Sequence, residues 1–341
     1  MRVGPNAFKA GSTIVLDASG GRGGDGAPLP AQGEPPQPGL TEGGAGGLGG
    51  NVSLVADGGK LILQGALVSG AGGQDGAWSD GSQWGSSGAM GTFTAAGSAV
   101  DVEGAFGLDA RWANGTVVNL RDASSVSGSG TFVNLGQGKV NLYGVSSLTP
   151  DGGVSNMQGA ELNAFGAGTS AFLTSNTGKV TVAAGAQLAA PWFYDNQGTV
   201  QVDGTLAIGY AGQPMRMMAM APSGFTNAAT GLLTGNGTLV VDGGSGTVFN
   251  YGKIAPGGEG QIGTFGITGG LVMEPGSTLA IDIGPNQTHD VLNVSGSTTT
   301  GGAISVTRLQ GATFAAGDSF AVLQTAALDA TTAPTVNVQE L

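Results

Sequence analysis

The feature that most constrains this chain is a phrase that keeps returning. Asparagine, a variable residue, glycine, a variable residue and valine occur as Asn176-Thr177-Gly178-Lys179-Val180, and again one unit further on as Asn196-Gln197-Gly198-Thr199-Val200. A degenerate copy, Asn156-Met157-Gln158-Gly159, stands the same distance before the first. Upstream are Asn114-Gly115-Thr116-Val117 and Gly136-Gln137-Gly138-Lys139-Val140. Downstream are Gly235-Asn236-Gly237-Thr238-Leu239 and Asn250-Tyr251-Gly252-Lys253-Ile254. A unit of about 20 residues is too small to bury its own apolar face, so such units must stack and share a core.

The text between the phrases says what stacks. Residues 12–17 (STIVLD), 51–56 (NVSLVA), 60–64 (KLILQ), 198–202 (GTVQV) and 237–242 (GTLVVD) are short, β-branched and alternating. Turn formers bound them, which is the signature of strands. Helical periodicity is nearly absent; its best candidate, 213–221 with Met215, Met217, Met218 and Met220, is short and flanked by Pro214 and Pro222. We therefore expect an all-β parallel β-helix (β-solenoid) of roughly 20 residues per coil. Asparagines at a fixed corner are expected to form an amide ladder from coil to coil. Glycine is expected to supply positive φ at the corners.

Glycine is abundant, 68 of 341 residues, but its spacing is irregular, which excludes collagen. With 40% apolar residues the chain is too hydrophobic for a disordered polymer. Its distribution divides the sequence into 1–105, Gly-rich coils with long extruded loops; 106–253, regular coils with Asn-x-Gly-x-Val turns; and 254–341, where the ladder phrase stops and longer strands take over. In the first part, residues 20–27 (GGRGGDGA) and 70–78 (GAGGQDGAW) each follow a strand-like run, as two copies of one unit would.

Residues 254–324 resemble the C-terminal part of Gram-negative autotransporter passengers. The resemblance rests on Pro256-Gly257, Ile262-Gly263-Thr264-Phe265, Gly276-Ser277-Thr278-Leu279, Asp290-Val291-Leu292-Asn293-Val294-Ser295-Gly296 and Phe320-Ala321-Val322-Leu323. In this pattern the last strand ends in a buried aromatic, and Asp290 has a structural role. The N-terminal part, through residues 49–65 (GGNVSLVADGGKLILQG), is similar to filamentous-haemagglutinin-type exoproteins. Both resemblances imply a right-handed parallel β-helix, secreted and used in adhesion, matrix or filament formation. The chain carries neither a C-terminal membrane barrel nor an apolar leader after Met1, so its secretion machinery is expected outside this sequence.

Several chemistries are weakly supported by the residues. Lys and Arg total 11 against a net charge of −12, which disfavours nucleic acid. The chain has no cysteine and one histidine, and no apolar run long enough to cross a membrane as a helix. No Gly-x-Ser-x-Gly sequence lies between strand and helix, so a serine hydrolase is not indicated. His289-Asp290 would point to opposite faces of a strand. A Thr-x-Thr column, as ice binding requires, is missing. Residues 20–27 resemble one calcium-binding nonapeptide, yet one copy cannot close a coordination sphere; Asp25, Asp75 and Asp80 are retained as weak calcium candidates, with no cofactor otherwise expected. Asp101 and Glu103 share a strand face at period two, and with Asp109 and Arg111 they define the competing reading, a polysaccharide lyase or hydrolase. Trp78 and Trp84 are the candidate contacts for stacking on sugar rings; Trp112, Trp192, Phe193 and Tyr194 are expected in later turns. The expected protein is a non-catalytic structural or adhesive β-helix at the surface of a Gram-negative bacterium. Its expected partners are itself, or a host or matrix glycan or protein.

Overall fold

The computed structural model describes residues 2–3, 14–17, 19, 47–56, 60–64, 66–71, 89–209, 224–329 and 334–340. Within them the protein is an all-β, right-handed parallel β-helix, and the described helical turns are two 3-10 segments, Asp242–Gly244 and Pro285–Gln287. No helix among the described residues is long and apolar enough to cross a membrane. The chain forms two compact units, one of Met1–Val133 with Leu148–Gly153, the other of Asn134–Ser147 with Val154–Leu341.

In the first unit the strands Ile14–Asp17 and Ala66–Ser69 lie side by side in parallel register, Ile14 against Ala66. The two strand-like runs that precede the Gly-rich segments are thus neighbours in space. Val52 pairs with Phe93, whereas Thr92 pairs with Arg111, so the earliest coils use more than twice as much chain as the one that follows. The surplus sequence includes both Gly-rich segments, which lie outside the described residues apart from Gly70 and Ala71. The long strand Ala99–Asp109 shifts register between Glu103 and Ala105. Gly104 sits at that shift with φ 75°, a conformation that costs a residue without Cβ little.

The core of this unit is aromatic. Trp112, expected in a turn, is fully buried on the strand Arg111–Asn114. Its ring meets Phe93 and Phe132 edge-on at 5.0 Å each, and Phe106 at 5.7 Å. Alternation explains the correction: Trp112 and Asn114 share the inward face, and large apolar area outweighs the turn formers around it.

The second unit is three-faced. One face stacks Lys139–Leu142, Glu161–Ala164, Lys179–Val182, Thr199–Val202, Leu232–Gly235 and Lys253–Pro256 in register. A second face includes Gln187–Ala190, Thr205–Ile208, Thr238–Val241, Thr264–Thr268 and the first half of Val291–Thr299. The third runs from Val154–Asn156 to Gly270–Met273. Inward positions such as Leu162, Val180, Val200 and Leu233 are wholly buried and alternate with half-exposed ones. The same pairing continues beyond Ile254 with longer coils, Lys253 opposite Thr278 and Thr278 opposite Ala303.

The corner between the third and first faces holds the amide ladder. Asn134, Asn156, Asn176, Asn196, Asn227 and Asn250 are each buried, and each Nδ2 donates to the next Oδ1 at 2.7–2.9 Å. The ladder ends where Asn250 meets the Met273 sulfur at 3.4 Å. Buried amides are costly without partners, so a continuous chain of them fixes which coil residue faces which.

Two expectations about this corner change. Asn236 is not in the ladder: it lies one corner further on, where its N–H donates to Asp203 and its side-chain oxygen accepts from Thr264 N–H. Gly136 and Gly159, at φ 57° and 82°, supply the expected positive φ, but the ladder glycines 178, 198 and 252 do not. They are required for space, since a Cβ on Gly198 would stand 2.1 Å from the Gly178 carbonyl oxygen. Trp192 and Phe193 do lie near a turn, but Phe193 is fully buried, and Trp192 stacks on Phe172 at 4.1 Å.

Candidate functional site

Trp78, Trp84, Asp25, Asp75 and Asp80 lie outside the described residues, as does the methionine cluster at 215–220. The carboxylates singled out for polysaccharide chemistry do lie within them. Asp101 is 1% exposed on the first unit's strand Ala99–Asp109. It bonds Lys60 Nζ, accepts from Asn119 Nδ2 at 2.8 Å and pairs with Arg121 Nε at 3.2 Å. Burial raises its pKa, but the bonds from Lys60, Asn119 and Arg121 together outweigh burial and hold the carboxyl below its ordinary value.

Glu103 follows two residues on and faces the same way, opposite Gln64 and Arg121. Asp109 lies past the bend at Gly104, where its Oδ1 accepts from the N–H and hydroxyl of Ser129 at 2.8 and 3.0 Å. Arg111 is exposed, opposite Thr92. Asp101 is thus buried and tied to Lys60, Arg121 and an amide, and Asp109 to a turn. Glu103 stands one same-face step from Asp101, but Asp101 is not open to a sugar as the carboxylates of paired-carboxylate hydrolysis are.

A second carboxylate pair is not evident as a pair from the sequence. Asp282 and Asp290, in the second unit, are 7% and 1% exposed. Asp290 accepts from Gly263 N–H through Oδ1 and from Asp282 N–H through Oδ2, both at 2.7 Å. Asp282 accepts from Gly260 and Gln261 N–H at 2.6 and 3.1 Å. Burial pushes Asp290 up to about 6, against the pull of the two N–H bonds, with Asp282 adding repulsion. Burial also raises Asp282, against the bonds from Gly260 and Gln261. Both open onto a cleft of about 240 Å³ beside the Lys253–Glu259 ion pair.

A perturbed carboxyl in a cleft is where a general acid would be sought. Here, however, each Asp290 oxygen is held by a backbone N–H, so the residue staples the turn at 257–263 to the end of Thr278–Ile283. His289 faces elsewhere, with Nδ1 3.1 Å from the Gln287 carbonyl and its ring edge-on to Phe320. Phe320 lies before the strand Leu323–Asp329 and is half-exposed, so the buried strand-end aromatic implied by the resemblance does not form. Among the described residues no group of three or more metal-ligating side chains comes together.

A further concavity is a groove of about 630 Å³ on the second face, around Gly266. Sequence inspection misses it, because the residues that build it come from separate coils at unequal intervals and follow no fixed period. The chain matches no family model, and no curated protein matches it in sequence.

Proposed function

We propose that this protein is a non-catalytic structural or adhesive β-helix displayed outside a Gram-negative cell, akin to autotransporter passengers and filamentous-haemagglutinin-type exoproteins. One observation carries the reading. The buried carboxylates among the described residues, Asp101, Asp282 and Asp290, are all bound to backbone N–H groups or to fixed cations and amides. Chemistry-bearing residues are thereby spent on holding coils together, and surface columns are left for contact. The protein works as a scaffold whose partners are further copies of itself, or a glycan or protein of a host or matrix.

The test uses the purified chain in three assays: adhesion to matrix-coated surfaces, electron microscopy across salt and Ca²⁺ concentrations, and incubation with acidic and neutral polysaccharides. Adhesion or ordered assembly without polysaccharide cleavage is expected. Release of reducing ends or unsaturated sugars would overturn the reading, as would dispersed, non-adherent particles under every condition.

A further inference from the structure

The groove around Gly266 is lined by hydroxyls, amides and small residues. Parallel pairing sets Thr238 against Gly266, Gly266 against Asn293, and Asn293 against Gln324. These four positions face outward, because the residues flanking them, Leu239, Ile267 and Leu292, are buried. They form one column across four rungs, spaced by roughly 4.8 Å. The column offers a hydroxyl, a gap and two amides in sequence. Gly266 leaves the backbone bare at this rung, and Thr238 leans toward it, its Oγ1 3.0 Å from where a Cβ would stand. No ionisable side chain lines the groove.

On the first face, outward amides are paired. Asn163 donates to Asn141 at 3.1 Å, and Gln201 to Asp203 at 2.8 Å. The groove's Asn236 is engaged by Thr264 N–H, but the two amides of the column are uncommitted. Asn293 Oδ1 is shielded and accepts from no donor among the described residues. A half-turn about χ2 exchanges that oxygen with Nδ2, so the side chain can present either a donor or an acceptor. Gln324 and the Thr238 hydroxyl are likewise held by no described partner.

We propose that this groove binds a neutral glycan strand, lying across the coils from Thr238 over the Gly266 gap to Asn293 and Gln324. The lining recognises hydroxyl groups, which both donate and accept, and it offers nothing to a charged sugar. The rung spacing is close to the rise of an extended hexopyranose chain, so successive sugars meet equivalent positions. Gly266 lets one ring sit against the backbone. The proposal rests on the adhesive reading and names its ligand class.

The test is affinity electrophoresis of the full chain in gels containing a soluble glucan, mannan or galactomannan, with alginate and polygalacturonate as charged controls. Retardation by at least one neutral polysaccharide is expected. Gly266→Val fills the gap and should weaken it at least tenfold; Asn293→Ala and Gln324→Ala, which remove outward side chains without touching the core, should weaken it severalfold. Unchanged circular dichroism and unfolding midpoints separate lost binding from lost folding. Retardation by charged polysaccharides only, by none, or equally by all three variants would overturn the site. Surface adhesion is scored separately: adhesion that persists in the three variants leaves the adhesive role standing and refutes the groove, whereas glycan binding without adhesion upholds the groove and refutes the adhesive role.

Discussion

Replacing Asn176 by aspartate changes one atom in the middle of the amide ladder, and the consequence can be worked out bond by bond. Asn176 is 1% exposed. Its Oδ1 accepts from Asn156 at 2.8 Å, and its Nδ2 donates to Asn196 Oδ1 at 2.8 Å and to the Thr199 carbonyl at 3.3 Å. In Asn176→Asp the accepting role survives. The donating role becomes a contact between a carboxylate oxygen and two other oxygens. Two hydrogen bonds are lost at ~1 kcal/mol each, and a buried charge is left facing acceptors, so the cost near neutral pH should be ~3–5 kcal/mol.

Protonation reverses much of this, because a neutral carboxyl can donate to Asn196 again. The new carboxyl must therefore titrate above the ordinary carboxylate range in the folded state. Its penalty is absent below the unfolded-state pKa, near 4, and grows by ~1.4 kcal/mol per pH unit until the folded pKa is passed. Asn176→Ala loses those two bonds and the one accepted from Asn156 without gaining a charge, and should cost ~3 kcal/mol at every pH. Urea unfolding followed by circular dichroism, with each variant measured against wild type at about pH 4 and about pH 7, reads the difference. Equal destabilisation of Asn176→Asp at the two pH values would refute the claim that ladder donors and acceptors are committed in one direction.

The remaining substitutions use the same measurement. Gly198→Ala places a Cβ 2.1 Å from a backbone oxygen, whereas Gly115→Ala meets nothing within 4 Å; the first should cost ~2 kcal/mol or more and the second should be neutral or slightly stabilising, and parity between them would contradict the close-approach role of the ladder glycines. Asp290, raised to about 6 by burial, contributes stability that is full below the unfolded pKa near 4 and is lost as pH rises through about 6, a change on the order of 2–3 kcal/mol. Asp290→Asn should remove that dependence, and an unaltered profile between about pH 4 and 7 would sink the assignment. Asp101 has the opposite sign: its lowered pKa gives stability that is present above the ordinary carboxylate range and lost on acidification. Hydrogen exchange should therefore show the strand at 99–109 loosening in acid while the turn at 257–263 tightens.

The ladder is legible in the sequence only where its turn is short. Asn176, Asn196 and Asn250 stand two residues before their glycine, and the repetition is plain. Asn134 and Asn227 stand four before Gly138 and Gly231. The same corner closes over two extra residues there, with Gly231 N–H bonding the Ala228 carbonyl at 2.7 Å. Spacing alone cannot separate these from ordinary loop asparagines, and it admits Asn236, whose phrase belongs to a different corner. Trp112 is misplaced for a related reason: composition reads as turn on both sides of a four-residue strand. The groove is illegible outright. Its column passes from Thr238 to Gly266, Asn293 and Gln324 in three unequal steps, each longer than the regular steps from Asn156 to Asn176 and Asn196. Only the register, set by which inward residues stack, brings these four into line.

That register also gives a physical reason for the scarcity of charge. In a parallel stack every outward residue faces its counterparts one rung away on either side, so like charges at equivalent positions repel along a whole column. The charged column of the second unit obeys this rule: Lys139, Glu161 and Lys179 are successive partners and alternate in sign, with Lys139 and Glu161 paired at 3.0 Å. Glu161 is held below its ordinary pKa, chiefly by Lys139, so the pairing is felt by the carboxyl. Extending such a column demands strict alternation at intervals that vary from coil to coil. Threonine, asparagine and glycine carry no such condition, because a hydroxyl or amide can meet its own kind as donor or acceptor. A solenoid that must present a long contact surface is thereby pushed toward neutral polar columns. Ligands that themselves repeat, and that carry hydroxyl groups rather than charge, match those columns better than ionic ones do.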